Sequence, residues 1–251
     1  MAAVLPSASV RIGTAGWSIP KEHAAPFPVQ GSHLERYGAV FDAVEINSSF
    51  YRPHRRATYA RWAASVPDHF RFAVKVPKTI THERRLTGTG ELLDRFLSEV
   101  EGLGPKLGSL LVQLPPSLAF LDGISDQFLA EFRQRFKGSI VCEPRHASWF
   151  ARHVDNLLHE HQIARVAADP APVAAAGEPG GWRSLSYYRL HGTPRVYYSS
   201  YEAEALTRIA ERLARDTTTG TETWCIFDNT AAFAATANAL TTKVLVQGRR
   251  Q

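Results

Sequence analysis

The chain has 251 residues, of which 44% are hydrophobic and 21% are charged, and this composition excludes a disordered protein. The formal net charge of +5 favours anionic ligands without singling out nucleic acid. Residues 1–9 carry no basic group, and no segment has the apolar length of a membrane span. We therefore expect a cytoplasmic protein without a secretory signal or membrane contact.

Eight short runs rich in β-branched and aromatic residues predict eight strands. In chain order they cover residues 10–13, 43–50, 71–76, 109–114, 139–143, 164–169, 186–191 and 223–228. Amphipathic stretches between them predict helices near residues 92–103, 128–132, 154–158, 206–213 and 230–240.

Strict alternation of strand and helix predicts parallel strands joined by right-handed crossovers. Eight repeats in about 250 residues are typical of a closed TIM-type (β/α)8 barrel of the α/β class. We expect one domain over residues 1–251, with its core at about residues 10–246. No further repeat is visible.

Two connections lack the pattern of a helix. Gly13-Thr14-Ala15-Gly16-Trp17 has no third glycine, so we interpret it as a loop rather than a dinucleotide-binding turn. Residues 171–181, rich in Ala, Pro and Gly, form either a mobile lid or a long connection.

The two cysteines, Cys142 and Cys225, lie far apart in separate apolar runs. Without a Cys-x-x-Cys pair they support neither a thiolate zinc site nor a redox dithiol. We expect buried free thiols in a reducing compartment.

Polar side chains recur near the carboxyl ends of the predicted strands. Because successive strand residues face opposite sides, parity assigns them to the barrel interior, where a polar group avoids the apolar helix layer. These residues are Glu45, Asn47, Lys75, Gln113, Glu143, Arg145, Asp169, Arg189, His191 and Asp228. Catalytic residues of such barrels lie at this end, so the pattern predicts one ligand pocket.

We predict that this pocket carries out general acid–base chemistry on a small polar or anionic substrate, such as a carboxylate, phosphate or sugar. Glu143 is the principal acid–base candidate, with His191 and Lys75 as further catalytic candidates. A Schiff-base role for Lys75 would need a lowered pKa, which the abundant carboxylates oppose. The predicted substrate-binding residues are Trp17, Glu45, Asn47, Tyr51, Gln113, Arg145, Asp169, Arg189, Asp228 and Asn229.

Other interpretations of the same charges stay open. The first is that the charged side chains form a neutralised ion-pair network. The second is that they include the paired carboxylates of a glycosidase. The third is that they bind a divalent metal in a sugar isomerase or phosphodiesterase. The sequence itself requires no cofactor and specifies no metal ligand set. A non-catalytic module would instead bind nucleic acid or a protein through basic residues after the second and third strands, Arg52, Arg55, Arg56, Lys78, Arg84 and Arg85. The oligomeric state is not predicted.

Several longer motifs occur in order along the chain. They are Gly13-Thr14-Ala15-Gly16-Trp17, Val44-Glu45-Ile46-Asn47-Ser48-Ser49-Phe50-Tyr51, Phe72-Ala73-Val74-Lys75-Val76-Pro77-Lys78, Ile80-Thr81-His82, Gln113-Leu114-Pro115-Pro116, Glu143-Pro144-Arg145-His146, Ala168-Asp169, Tyr188-Arg189-Leu190-His191-Gly192 and Phe227-Asp228-Asn229. In these motifs, over about residues 10–246, the chain resembles the YecE-like family, domain of unknown function 72.

The resemblance implies a TIM-type barrel, similar at fold level to sugar isomerases and apurinic endonucleases, but it implies no reaction. Two residues depart from the family pattern. Pro144 replaces a bulky apolar residue and predicts a bulge or strand end. Asp228 stands where many members have asparagine, which weakens its candidacy as a catalyst or metal ligand.

Overall fold

The β-branched and aromatic runs form strands in the computed structural model, which describes residues 10–249. Within that range the strands are β1 (Val10–Thr14), β2 (Ala43–Ile46), β3 (Arg71–Lys75), β4 (Leu107–Gln113), β5 (Ser139–Glu143), β6 (Ile163–Arg165), β7 (Ala167–Asp169), β8 (Gly180–Gly181), β9 (Leu185–Leu190) and β10 (Glu222–Phe227). The α-helices of the same range are α1 (His33–Gly38), α2 (Ser48–Tyr51), α3 (Arg56–Ala64), α4 (Gly90–Val100), α5 (Ile124–Arg135), α6 (Arg152–Glu160), α7 (Ala203–Thr218) and α8 (Ala234–Gly248). The expectations for residues 1–9 lie outside the described residues.

The strands form two sheets, with the orders β1-β10-β9-β7 and β2-β3-β4-β5-β6-β8. Their pairings are parallel, apart from the antiparallel pair of β6 and β8. The predicted α/β fold with parallel strands is confirmed, while the strands belong to two sheets rather than to one continuous ring. None of the helices within residues 10–249 combines the length and apolarity needed to cross a bilayer.

The two sheets meet at two junctions. At the first, the predicted sixth strand is interrupted at Val166, so that β6 pairs with β5 and β7 pairs with β9. The Val166 N–H donates to the carbonyl of Cys142 at 2.9 Å. At the second, a parallel bridge joins Ala15 to Glu45, and the Gly16 N–H donates to the Glu45 carbonyl at 2.8 Å. Side chains from both sheets can therefore meet at the strand ends.

Apolar side chains alternate between two clusters along the strands. The larger, outer cluster joins strand residues to helix residues, and the smaller, inner cluster is formed by strand residues and their neighbours. Small residues in the inner cluster, Ala43, Ala73 and Ala164, leave room for two large aromatic side chains. Tyr187 and Trp224 stack there with ring centroids 5.7 Å apart. This alternation agrees with the predicted parity on β2, β3, β4, β5, β9 and β10.

The second predicted strand is wrong beyond Ile46, because the chain turns there into α2. The Phe50 N–H donates to the Asn47 carbonyl at 3.1 Å, and the Ser49 hydroxyl lies 2.6 Å from the Lys75 carbonyl that it bonds. The strand-like composition of this segment is therefore misleading. The ending of β5 at Glu143 agrees with the strand end predicted from Pro144.

The connection over residues 171–181 packs against the fold. Its short strand β8 pairs with β6, and Gly181 N–H donates to Asp155 at 2.8 Å. The guanidinium of Arg165 donates to the Ala175 carbonyl at 2.8 Å and to Asp155 at 3.1 Å. These bonds hold the connection against β6 and α6.

Candidate functional site

Arg189 lies at the centre of a buried charge cluster at the carboxyl ends of the strands. Its side chain is 1% exposed and donates to Glu45 through Nε at 3.0 Å and through Nη2 at 2.7 Å. Nη2 also donates to Asp228 at 2.9 Å, and Nη1 donates to Glu143. One planar cation thus joins three carboxylates from β2, β5 and the end of β10, a geometry that a lysine could not supply.

The alternation of β9 explains how these groups meet. Tyr187 and Arg189 share the inner face of β9, and Glu45 shares the inner face of β2 with Ala43. The Tyr187 hydroxyl donates to Glu45 Oε2 at 2.9 Å, which adds a neutral donor to the fully buried carboxylate. Glu45 is therefore fixed from two positions on one strand.

His191 bridges the other two carboxylates. Its Nδ1 lies 3.0 Å from Asp228 Oδ2, and its Nε2 lies 3.1 Å from Glu143 Oε1 and 2.9 Å from Nη2 of Arg145. A guanidinium nitrogen only donates, so we assign Nε2 as the acceptor and Nδ1–H as the donor to Asp228. The second hydrogen of Arg145 Nη2 is then directed at Glu143, 2.5 Å away.

The cluster holds Glu143 and Asp228 in the ionised form. Burial alone would raise the pKa of Glu143, but Arg189 and then Arg145 lower it well below its usual value. Burial likewise opposes ionisation of Asp228, whose pKa is nevertheless lowered, first by Arg189 and then by His191. A carboxylate so stabilised is a poor proton donor near neutral pH, which argues against the acid–base role predicted for Glu143.

Lys75, at the end of β3, is the basic group of the site that is not engaged in an ion pair. Its Nζ lies 4.1 Å from the ring centroid of Phe50. Within residues 10–249 no carboxylate or other acceptor lies within bonding distance of Nζ. The amine therefore combines an aromatic neighbour with free donor positions.

The environment of Lys75 favours its neutral form. Burial is the largest cause, and with the nearby Arg189 it lowers the pKa to about 8, against the opposing effect of Glu45, Glu143 and Asp228. The expectation that carboxylates keep this pKa high does not hold, since Arg189 already compensates their charge.

Two predicted amides border the cluster. Asn47 Nδ2 lies 3.5 Å from Asp228 Oδ1, and its own buried Oδ1 has no partner among the described residues. Gln113 lies beside Glu143 in the register of β4 and β5, and its amide donates to the Leu114 carbonyl at 2.8 Å. Asn47 thus contacts the cluster directly, whereas the Gln113 amide bonds the backbone.

Four other predicted residues are not brought into the cluster. Asp169 pairs in register with Leu190 and so faces outward, where Thr193 and Tyr201 bond its carboxylate. Alternation continues across Val166, with Ala164 and Val166 in the inner cluster and Ile163 and Ala167 in the outer one, so the prediction put Asp169 on the wrong face.

Trp17 packs edge-on against Trp62, with ring centroids 5.1 Å apart. Tyr51 is 73% exposed and contacts Phe50. Asn229 is buried and donates to the Ser199 carbonyl and to Asn238, so it ties the last strand end to α8. None of the three shares a hydrogen bond with the cluster among the described residues.

Tyr197 and Phe50 belong to the site but were not predicted from the sequence. The Tyr197 ring packs edge-on against His191 at 5.7 Å, and the residue has a φ of 70°, unusual for a side chain of this size. Burial and then Asp228 raise its pKa. No local pattern marks Tyr197, since its position depends on the loop after β9. Phe50 was not predicted because residues 43–50 were assigned to one strand, whereas Phe50 lies in α2.

Metal binding finds little support in this arrangement. Among the described residues no group of three or more His, Cys, Asp and Glu is arranged to hold a metal ion. The carboxylates with suitable oxygens are directed at Arg189, so a metal ion would have to displace its guanidinium.

The predicted basic surface is partly neutralised. Arg56 lies 3.5 Å from Glu101, and Lys78 lies 3.1 Å from Glu83. Arg85 donates to the Ser117 carbonyl at 2.9 Å. These partners reduce the charge available to a nucleic acid.

Comparison with protein families gives one match over nearly the whole chain. The model described as "Protein of unknown function DUF72" matches residues 11–251. The protein YecE of Escherichia coli K12 is 29% identical over 181 residues, which cover 66% of this chain and 61% of YecE. YunF of Bacillus subtilis 168 is 26% identical over 157 residues, covering 57% of this chain and 52% of YunF. The chain thus spans less than two thirds of the curated relatives it matches.

Solved structures share the fold. A crystal structure of a DUF72 family protein from Enterococcus faecalis V583 has a TM-score of 0.80 at 22% identity, covering 95% of this chain and 96% of that chain. One from Thermotoga maritima MSB8 has a TM-score of 0.75 at 24% identity, covering 95% and 99%. At these identities the likeness shows the fold alone.

Proposed function

We propose, from the premise that the chain belongs to the DUF72 family, that it is an enzyme acting on a small polar or anionic substrate at its strand ends. The observation that carries this proposal is the convergence of three buried carboxylates on Arg189, with Arg145 and Lys75 beside them. Burying so many charges is costly and stabilises a fold less well than aliphatic packing does. A ligand site explains their presence better than stability does.

The proposal treats the two sheets as one (β/α)8 barrel. In support, the strands follow a circular order, with β6 and β7 counted as one interrupted strand. The bridge between Ala15 and Glu45 lies where β1 and β2 would close the ring. The charge cluster then lies at the end of the barrel where such folds have their active sites.

Each group has a distinct role in the proposed site. Arg189 and the carboxylates form a rigid, ionised frame, and His191 fixes the position of Arg145. Arg145 binds the anion through the guanidinium N–H groups that its protein partners leave free, since its side chain is 18% exposed. Lys75 replaces Glu143 as the acid–base residue. The two cysteines are free and buried, which suits activity in a reducing cytoplasm.

A thermal-shift screen of small anions tests this proposal. Phosphate, lactate, pyruvate and glucose 6-phosphate would be compared on the wild-type protein, Arg145→Ala and Arg56→Ala. A site-bound anion at 100 times its Kd stabilises the folded state by about 2.7 kcal/mol. We expect this stabilisation to be lost in Arg145→Ala and kept in Arg56→Ala, whose arginine lies on the exposed surface.

The two variants separate the site from the basic surface. Equal stabilisation of the wild type and Arg145→Ala, or a loss confined to Arg56→Ala, would refute binding at the strand ends. Stabilisation by none of the four anions would contradict an anionic substrate.

A further inference from the structure

The lysines of the chain differ in what surrounds their amines. Lys106 donates to the Ala63 and Val66 carbonyls, Lys243 donates to the Val40 carbonyl, and Lys78 pairs with Glu83. Lys75 has only the Phe50 ring at 4.1 Å and no acceptor within bonding distance among the described residues. It is thus a partly buried amine without an ion-pair partner, located next to charges that are compensated elsewhere.

An ammonium in this position is not needed to neutralise the cluster. Arg189 accounts for bonds to all three carboxylates, and Arg145 adds a second to Glu143. An amine that neither fills a core nor completes an ion pair has its nitrogen available for a ligand. Arg145, which pairs with Glu143, keeps guanidinium N–H groups that can hold the anionic end of that ligand, its buried Nε having no partner among the described residues.

We propose that Lys75 forms an imine with a small carbonyl compound that carries a carboxylate or phosphate group. The inference rests on the proposed function, because the same site would bind the anion. Arg145 would hold the anionic group while the carbonyl carbon lies against Nζ of Lys75, with the Phe50 ring excluding water on one side.

The chemistry balances without an external reagent. The Lys75 ammonium releases one proton, and its nitrogen lone pair attacks the carbonyl carbon, forming the C–N bond of a carbinolamine. The oxygen takes up that proton and one from nitrogen and leaves as water. The ammonium and the carbonyl thus give a protonated imine plus water.

The charges around Lys75 support the attacking form. Its amine faces Arg189, Glu45, Glu143 and Asp228, and it lowers the pKa of the neighbouring His82. Burial and Arg189 outweigh the carboxylates and lower the pKa of Lys75 to about 8. About a tenth of the amine is then neutral at pH 7, far more than in an exposed lysine with a pKa of about 10.4.

Borohydride trapping tests the proposal on the full chain. Wild type, Lys75→Met, Lys75→Arg and the control Lys78→Met would be incubated with pyruvate or dihydroxyacetone phosphate and reduced with sodium borohydride. Intact mass and peptide mapping would locate the adduct. We expect one adduct on Lys75 in wild type and Lys78→Met, and none at this position in the two Lys75 variants. In Arg145→Ala we expect trapping to be slower by about tenfold or more.

Non-carbonyl analogues separate failure of this inference from failure of the proposed function. Lactate and glycerol 3-phosphate carry the anion but cannot form an imine. If they stabilise wild type and neither carbonyl compound is trapped on Lys75, the imine is refuted and the anion site is retained. If neither analogue nor carbonyl compound stabilises the protein or gives an adduct, both are refuted. Adducts spread over the lysines, at equal rates in wild type and Lys75→Arg, would also overturn the imine.

Discussion

Replacing Arg189 by methionine should expose the energetic cost of the buried cluster. Glu45 receives both of its charged hydrogen bonds from Arg189 and would keep only the Tyr187 hydroxyl. Glu143 would retain Arg145. The largest penalty therefore falls on Glu45, and removing one partner of a buried ion pair typically costs about 3–5 kcal/mol.

The penalty should depend on pH. In the wild type the pKa values of Glu143 and Asp228 are lowered, so these groups contribute stability that is present above their unfolded pKa and lost on acidification. Without Arg189 the carboxylates are buried with less compensation, and their folded pKa values rise. A raised value gives stability that is lost as pH increases, so the destabilisation should be larger at pH 7 than at pH 5.

Urea unfolding of Arg189→Met at both pH values provides the measurement. The double variant Arg189→Met with Glu45→Gln should recover about 1–3 kcal/mol, because it removes the uncompensated charge. Arg135→Met serves as the control, since Arg135 pairs with Asp94 and Glu131 near the surface and its loss should cost at most about 1 kcal/mol. A loss of unfolding free energy below about 1 kcal/mol for Arg189→Met would contradict the predicted cost of an uncompensated Glu45. A loss that is independent of pH and of Glu45→Gln would contradict it as well.

Three further substitutions test the site and the inner core. Lys75→Met should raise the free energy of unfolding at pH 7. The wild type should gain stability between about pH 8 and 10.4, because the amine of the folded state loses its proton at lower pH than that of the unfolded state. A free energy of unfolding, measured with urea, that is constant in this window would argue against the lowered pKa. Tyr187→Phe should cost about 1.5–3 kcal/mol in chemical unfolding by removing a donor to the buried Glu45, and an unchanged midpoint would contradict that bond. Gly13→Ala should lower the thermal midpoint, because its methyl would collide with the Ala43 carbonyl. Gly248→Ala, at an open position without a positive φ, is the matched control, and an equal loss in both variants would contradict the collision.

Periodicity in the sequence predicts most of the framework and much of the site. Alternation on β2 and β9 correctly places Glu45 and Arg189 on the enclosed face, because a polar side chain facing the helix layer would lack a partner. The inference fails for Asp169, because alternation continues past Val166 but this polar residue lies on the outer face with Ala167. Thr193 and Tyr201 bond its carboxylate there, and such contacts from a loop leave no mark in the local sequence.

The pairing of charged side chains could not be predicted from the sequence either. Residue types indicate that Glu143 and Lys75 are titratable, but their behaviour depends on which cation bonds which carboxylate. Because Arg189 bonds all three carboxylates, Glu143 stays ionised, and burial followed by the charge of Arg189 lowers the pKa of Lys75. The contact of Tyr197 with His191 was not predicted either, because Tyr197 lies in a loop rather than in a strand.

A small anion bound at the strand ends beside Arg145 and Lys75 can be located directly by anomalous diffraction from crystals soaked in selenate. We expect a selenium peak within hydrogen-bonding reach of the Arg145 guanidinium and Lys75 Nζ, and its absence in crystals of Arg145→Ala. Peaks confined to surface arginines such as Arg52, Arg55 and Arg84, with none at the strand ends, would show that the anion does not bind there.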